Sequence, residues 1–92
     1  MLARTVTIRN ALGMHARAAA RFVHAAGACQ GRVTVTREDR ADRIVDGKSI
    51  LGLLLLAAAR GVTIRISADG ADEEDAIGAL CRLVDAGFED EP

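Results

Sequence analysis

The chain has 92 residues, about half of them hydrophobic, and a formal net charge of −1. With no tryptophan, no tyrosine and two phenylalanines, it lacks the basic charge and the aromatic platforms that a nucleic-acid-binding protein needs. The N-terminus has no apolar signal-peptide segment, and the longest apolar run, residues 50–59, is shorter than the roughly twenty residues of a membrane helix. We therefore expect one soluble, cytoplasmic domain over residues 1–92.

The first predicted strand spans residues 5–9, where polar and apolar side chains alternate as they do in a half-buried strand. A helix is predicted from Ala16 to Ala26, because apolar residues recur there at the spacing of one helix face. The expected apolar stripe consists of Ala16, Ala19, Ala20, Val23 and Ala26, with Phe22 beside them. Arg17, Arg21 and His24 share another face, on which His24 either lines a partner surface or is a plain surface histidine.

His15 lies at or just before the predicted start of this helix. The first backbone N–H groups of a helix have no intrahelical partner, and the dipole end there is positive, so the position accepts an anion. A neutral imidazole is a nucleophile. A phosphoryl group bound to it would place its oxygens on the N–H groups of Ala16 and Arg17, with the Arg17 guanidinium closing over them. The alternative is an ordinary capping or surface histidine beside a solvated arginine.

The middle of the chain predicts a hairpin followed by a second helix. Residues 32–37 alternate as a strand, residues 38–42 form a charged, solvated tip without assigned function, and residues 43–45 return as a shorter strand. Ser49 is placed to cap the helix that follows. That helix is apolar nearly all round, and we expect Leu53, Leu56 and Ala57 to point inward while Ile50, Leu51 and Leu54 stay partly exposed. A wholly buried leucine cluster is the alternative.

The last third of the chain predicts a strand and a helix. Residues 62–67 alternate clearly, Asp69 or Asp72 can cap the helix, and Gly87 can end it. The buried stripe of the helix is expected to be Ala76, Ile77, Leu80, Leu83 and Val84. The acids of residues 72–75 suit the positive end of the helix better than a metal site. Two cysteines, Cys29 and Cys81, lack zinc-ligand spacing and are expected to be free thiols in a reducing cytoplasm.

The order β-α-β-β-α-β-α predicts an α+β fold without repeats or linkers. Helices would cover one face of a four-stranded antiparallel sheet and leave the other face polar. The side chains expected on that polar face are Thr5, Thr7, Thr34, Thr36, Thr63 and Arg65.

Two segments carry a family resemblance. Residues 13–20, Gly-Met-His-Ala-Arg-Ala-Ala-Ala, resemble the active-site segment of HPr, the phosphocarrier of the bacterial phosphotransferase system. Residues 47–52, Gly-Lys-Ser-Ile-Leu-Gly, resemble its regulatory serine segment, at the family's usual separation. One departure is Ala18, where the usual pattern has proline, although both residues suit the first turn of a helix. The chain looks more like the nitrogen-related (NPr-type) branch than the sugar-transport branch.

The resemblance implies an open-faced β-sandwich and a phosphoryl carrier that acts as a cosubstrate and is not an enzyme. An enzyme I-type kinase would phosphorylate His15 from phosphoenolpyruvate, and an EIIA-type protein would receive the group, with Arg17 stabilising it. Ser49 would be a regulatory site, phosphorylated by an HPr kinase/phosphorylase where the source organism has one. The implied partner surface consists of Ala20, Arg21, His24, Lys48, Ile50, Leu51 and Leu54.

A monomer without cofactor, metal or membrane insertion is expected. Two other function classes stay open: an interaction module controlled by Ser49 phosphorylation with little transfer through His15, and, if the motifs are disregarded, a small-molecule-binding regulatory domain.

Overall fold

The computed structural model describes residues 1–89. Within them lie four strands and three α-helices in the predicted order, followed by a short 3₁₀ turn. The elements are β1 (Leu2–Thr7), α1 (Ala16–Ala26), β2 (Arg32–Arg37), β3 (Arg40–Asp46), α2 (Ile50–Leu55), β4 (Thr63–Asp69), α3 (Glu73–Asp85) and the turn Gly87–Glu89. No helix in this part of the chain combines the length and the hydrophobicity needed to cross a bilayer.

The four strands form one antiparallel sheet in the order β1-β4-β2-β3. Alternate residues of the central strands are fully buried on the side that the helices cover, among them Val33, Val35, Ile64, Ile66 and Ala68. Thr5, Thr7 and Arg65 are exposed on the other face, while Thr34, Thr36 and Thr63 are half-buried there. The predicted α+β architecture with one polar sheet face is therefore confirmed.

The strand boundaries differ from the predicted ones because local alternation does not say where pairing ends. β1 begins at Leu2 and ends at Thr7, since the ladder with β4 runs from Leu2 opposite Ala68 to Thr7 opposite Thr63. The hairpin tip is shorter than residues 38–42, because Arg40 already pairs with Arg37 across a bulge. β3 is correspondingly longer than residues 43–45.

The core-facing stripe of α1 is rotated from the predicted one. Its buried residues are Ala18, Ala19, Phe22 and Ala26, whereas Ala16 and Ala20 are exposed and Val23 is half-buried. An alanine-rich helix gives little hydrophobic contrast between its faces, so the bulk of Phe22 decides which face packs inward. Ala18 is fully buried in the first turn, and the helix begins normally with alanine in place of proline.

In α2 the inward positions are confirmed for Leu53 and Leu56, which are 0% and 2% exposed. Ala57 was expected to point inward, and this is wrong. The helix ends at Leu55, and Ala57 is an exposed residue with a left-handed backbone, φ 52°. The carbonyls of Leu56 and Ala57, which follow the end of the helix, each accept a hydrogen bond from Arg37 Nη1 at 3.1 Å. The helix is therefore closed by a neighbouring strand.

In α3 the buried residues include Ile77, Leu80 and Val84 of the predicted stripe together with Cys81, while Ala76 and Leu83 are half-buried. Asp72 is the N-cap residue, but its carboxylate makes no bond to the helix. It accepts instead from the Gln30 N–H at 3.2 and 3.3 Å and from Cys29 Sγ at 3.5 Å. Its side chain thus joins the start of α3 to the turn after α1.

Candidate functional site

His15 is the N-cap residue of α1. Its backbone is extended (φ −80°, ψ 179°), and its Nδ1 accepts a hydrogen bond from the Arg17 N–H at 3.2 Å. Its carbonyl accepts the first helical bond, from the Ala19 N–H at 2.8 Å. The Nδ1 lone pair is therefore directed at the N-terminus of the helix, where backbone N–H groups and the dipole stabilise negative charge.

The turn before His15 is fixed by close backbone packing. Gly13 has φ +66°, and a Cβ added there would lie 2.6 Å from the Ala58 carbonyl oxygen, so the position requires glycine. The Met14 N–H donates to the same oxygen at 2.9 Å, and the Met14 side chain is buried. Asn10 Nδ2 donates to the Gly13 carbonyl at 2.8 Å. The loop after α2 thus sets where His15 stands.

Three predicted residues of the outer face of α1 meet in one groove. Arg17, Arg21 and His24 line a groove of about 660 Å³ between α1 and α3, and Arg82 of α3 lines its other side. Its remaining lining is Ala20, Ala25, Ala79, Leu83, Ala86 and Glu89. Arg21 is half-buried and donates from Nη1 to the Phe88 carbonyl, which ties α1 to the C-terminal turn. The side chains of this face therefore line a groove that contains three arginines, Arg17, Arg21 and Arg82.

Ser49 is the N-cap residue of α2, as predicted. Its Oγ accepts from the Gly52 N–H at 3.0 Å, and its side chain is half-buried. Lys48 extends the other way, with Nζ donating to the Cys29 carbonyl at 2.7 Å. The ammonium group of Lys48 is therefore held at the turn after α1, which removes part of its capacity for partner contacts.

The apolar residues of α2 form an exposed patch. Ile50, Leu51 and Leu54 are 43%, 68% and 37% exposed, which confirms their predicted partial exposure. Two exposed leucines were not predicted: Leu55, 58% exposed in the last turn of α2, and Leu12, 68% exposed in the turn before His15. Leu12 lies in a turn and belongs to no apolar stripe of a helix or strand, so the sequence could have indicated that its side chain is exposed. We call the four exposed residues of α2, Ile50, Leu51, Leu54 and Leu55, the apolar patch.

The structure is an open-faced sandwich with His15 on the N-cap of its first helix, the two features that the resemblance to histidine phosphocarriers led us to expect. Comparison with known proteins agrees. The family model described as "PTS HPr component phosphorylation site" matches residues 2–86. The chain belongs to the HPr family of phosphocarrier proteins of the phosphotransferase system, and it is a carrier of the phosphoryl group rather than an enzyme.

Curated relatives cover nearly the whole chain. It is 44% identical over 88 residues to the phosphocarrier protein HPr of Neisseria meningitidis, with 96% of each chain covered. It is 38% identical over 89 residues to the phosphocarrier protein NPr of Shewanella violacea, with 97% of this chain and 94% of that protein covered. The crystal structure of HPr-C-His from Thermoanaerobacter tengcongensis superposes with a TM-score of 0.91 at 37% identity, covering both chains fully.

Proposed function

We propose that His15 is the phosphoryl acceptor, that an enzyme I-type kinase using phosphoenolpyruvate supplies the group, and that a histidine of an EIIA-type protein receives it. The observation that carries this proposal is the 3.2 Å hydrogen bond from the Arg17 N–H to Nδ1 of His15. Such a bond leaves the Nδ1 lone pair at the helix start and the ring proton on Nε2. Nδ1 is thus the nitrogen that attacks phosphorus.

The transfer step follows from this arrangement. The Nδ1 lone pair forms a bond to phosphorus as the bond from phosphorus to the donor atom breaks, and the donor keeps that electron pair. The Arg17 N–H that now donates to Nδ1 then donates to a phosphoryl oxygen, with the neighbouring N–H of Ala16 beside it. The same N–H groups serve the outgoing transfer, in which the P–N bond breaks toward the next acceptor.

The Arg17 guanidinium is proposed to stabilise the phosphoryl charge. Arg17 lies in the first turn of α1, its side chain is exposed, and it lines the groove that α1 forms with α3. A planar guanidinium can donate two parallel hydrogen bonds to phosphoryl oxygens, which a lysine ammonium cannot do.

The docking surface proposed for both partners combines the outer face of α1 with the apolar patch. Exposed Leu12, Leu51 and Leu55 supply apolar area, while Arg21 supplies charge and His24 a polar side chain at its side. Several exposed leucines on one short helix are typical of an interaction site, because a partner that covers them removes apolar surface from water. Ala20, Ile50 and Leu54 complete the surface, and Lys48 contributes at its margin.

Ser49 is proposed as a regulatory phosphorylation site, modified by an HPr kinase/phosphorylase where one is present. It caps α2 at the edge of the apolar patch, so a phosphate there would add charge at the rim of the docking surface without breaking the helix. The runner-up function, an interaction module in which Ser49 phosphorylation matters and His15 transfer does not, rests on this same position.

Phosphorylation by a purified enzyme I-type protein tests the proposal. We expect acid-labile label from labelled phosphoenolpyruvate on His15, and label passed on to an EIIA-type protein. His15→Ala should take up none while folding normally, because the lost cap costs only about 1 kcal/mol. Absence of label on the folded wild-type chain, with kinase-dependent label on Ser49, would favour the runner-up function.

The cellular setting is part of the same proposal. We infer a cytoplasmic monomer, and we assign it to the nitrogen-related branch on the Ala-Arg-Ala-Ala-Ala form of residues 16–20 and the leucine-rich segment after Ser49 alone, since the identity to the NPr relative, 38%, is below the 44% identity to HPr. Side-by-side transfer assays with sugar-type and nitrogen-type enzyme I and EIIA proteins test the branch, because faster transfer with the sugar-type pair would reverse this assignment. Sedimentation of the purified chain tests the monomer.

A further inference from the structure

A second groove lies on the far edge of the sheet, along β1. It has a volume of about 410 Å³, and its walls are β1 and α3. Within residues 1–89, β1 is an edge strand that pairs with β4 alone. Arg4, Thr5, Val6 and Thr7 all line the groove. Successive side chains of a strand point to opposite faces, so four consecutive residues can line one groove only where the strand backbone itself forms the wall.

The open backbone makes this wall a strand-pairing template. An edge strand carries N–H and C=O groups that its single neighbour does not use. An extended peptide can add to such an edge and gain main-chain hydrogen bonds, while its side chains provide selectivity.

The side chains around the groove select for acidic residues. Arg4, Arg9 and Arg82 line it, and among the lining residues that the structure describes the one acid is Asp85, 3.6 Å from Arg9 Nε. Arg4 pairs with buried Ile66 in the strand register, so its side chain lies on the helix-covered side of the sheet, toward α3. The groove thus has an excess of guanidinium groups beside an unpaired strand edge.

Gly78 has no side chain, which leaves room for Arg82 on the α3 side of the groove. A Cβ added to Gly78 would lie 3.2 Å from Arg82 Nη1, so the guanidinium of Arg82 extends back along the helix over Gly78. Glycine in the interior of a helix is unfavourable relative to alanine. Its presence here gives the Arg82 head group its place at the groove.

We propose that this edge groove, formed by β1 and α3 around Arg4, Arg9 and Arg82, binds an extended acidic segment of a partner protein as an added strand. Carboxylates of alternate residues pair with the guanidinium groups, and the peptide backbone pairs with β1. Nucleic acid and anionic lipid have the charge but no backbone that continues a β-ladder. The proposal concerns the β1 edge of the sheet and does not depend on phosphoryl transfer, although Arg82 also lines the groove between α1 and α3.

The test uses a capped peptide of roughly eight residues in which Glu and Thr alternate, and a matched peptide with Lys in place of Glu. We expect the acidic peptide to shift the backbone amide NMR signals of residues 4–9 and of α3, with affinity that falls as salt rises. Arg4→Glu should weaken binding by roughly tenfold or more, since it replaces attraction with repulsion. Arg65→Glu, an equal charge change on the open sheet face, should leave the affinity unchanged.

Gly78→Ala gives a second variant that keeps the fold. The added methyl group would lie 3.2 Å from Arg82 Nη1 and requires the Arg82 head group to shift slightly, so peptide affinity should fall although alanine favours the helix. Equal shifts with the lysine peptide, no shifts with either peptide, or unchanged affinity in Arg4→Glu and Gly78→Ala would overturn the proposal. Shifts of the β1 amides on concentrating the protein alone would assign the edge to a second copy and overturn it as well.

Discussion

At the scale of the residue, the chemistry depends on which atom of His15 meets the helix. The N-cap backbone of His15 turns Nδ1 toward the Arg17 N–H. Gly13 makes this possible, because its left-handed backbone lets the chain approach the Ala58 carbonyl closely. A side chain at position 13 would push the turn away from the loop after α2 and move the imidazole with it.

Arg17→Lys separates the contribution of the guanidinium from that of positive charge. Lysine keeps the charge but loses the planar fork, so the rate of phosphoryl transfer should fall roughly tenfold to a hundredfold while the free energy of unfolding changes by less than about 0.5 kcal/mol. Rapid-quench measurement of His15 phosphorylation gives the rate, and urea unfolding gives the stability. Arg60→Lys, at an exposed position in the loop after α2, is the matched control. Equal rates for Arg17→Lys and wild type would remove Arg17 from the mechanism.

At the scale of the element, both helices of the proposed docking surface begin with a side-chain cap. Ser49 Oγ accepts from the Gly52 N–H at 3.0 Å, and α2 is only six residues long, so the cap is a large part of what defines its start. An acid at this position is compatible with the helix dipole.

Ser49→Asp should therefore fold normally but dock less well. Aspartate can cap the helix, whereas its charge at the rim of the apolar patch must be desolvated, or must face acids of the partner, when a complex forms. We expect the enzyme I concentration for half-maximal phosphorylation of His15 to rise, with the rate at saturation little changed. Ser49→Thr is the neutral control that keeps the cap. An unaltered concentration dependence in Ser49→Asp would mean that Ser49 is a helix cap alone.

Arg37 joins β2 to the end of α2. Its Nη1 donates to the Leu56 and Ala57 carbonyls, and its Nε and Nη2 donate to Asp39 at 2.9 and 2.8 Å. The hydrogen bonds from Arg37 hold the pKa of the Asp39 carboxyl below its usual value. A lowered folded-state pKa gives stability that is present above the unfolded pKa and is lost as pH falls through the folded pKa.

Arg37→Ala should lower the urea midpoint of unfolding at neutral pH and raise the pKa of Asp39 toward its ordinary value. The loss of stability should shrink in acid, because the bond to Asp39 no longer contributes once that carboxyl is protonated. Carboxyl NMR titration and urea unfolding at two pH values measure both effects. Arg32→Ala, at an exposed position at the start of the same strand, is the control. A midpoint unchanged in Arg37→Ala would show that α2 ends without this contact.

At the scale of the whole molecule, the leucines of α2 divide between the core and the surface. Leu53 is fully buried, whereas Leu51 is 68% exposed two positions earlier. Burial on one side of a short helix leaves the remaining leucines in water, because a domain of this size cannot enclose all of them. The open sheet face therefore presents threonines and Arg65, whereas the helix side presents exposed leucines together with the arginines of α1.

Leu53→Ala should mainly lower stability, whereas Leu51→Ser should mainly weaken docking. Leu53→Ala removes packed core volume and should cost about 2–5 kcal/mol of unfolding free energy. Leu51→Ser should change stability by less than about 0.5 kcal/mol but weaken docking of enzyme I. Urea unfolding and the concentration dependence of His15 phosphorylation distinguish the two. If the double variant Leu51→Ser/Leu55→Ser still docked normally with enzyme I, this would argue against the apolar patch as the docking surface.

The sequence alone determined the order of elements, the extent of α1, the cap positions His15 and Ser49, and the exposure of Ile50, Leu51 and Leu54. These features follow from local physics, since periodicity and capping depend on residues a few positions apart. Tertiary structure decided which face of α1 is buried, where α2 ends, and that the carboxylate of the N-cap residue Asp72 bonds the turn after α1 instead of the first turn of α3. Each of these depends on a partner distant in sequence: the core around Phe22, the guanidinium of Arg37 and the backbone of Gln30. The edge groove belongs to the second group, because β1 and α3 meet there only after the sheet has formed.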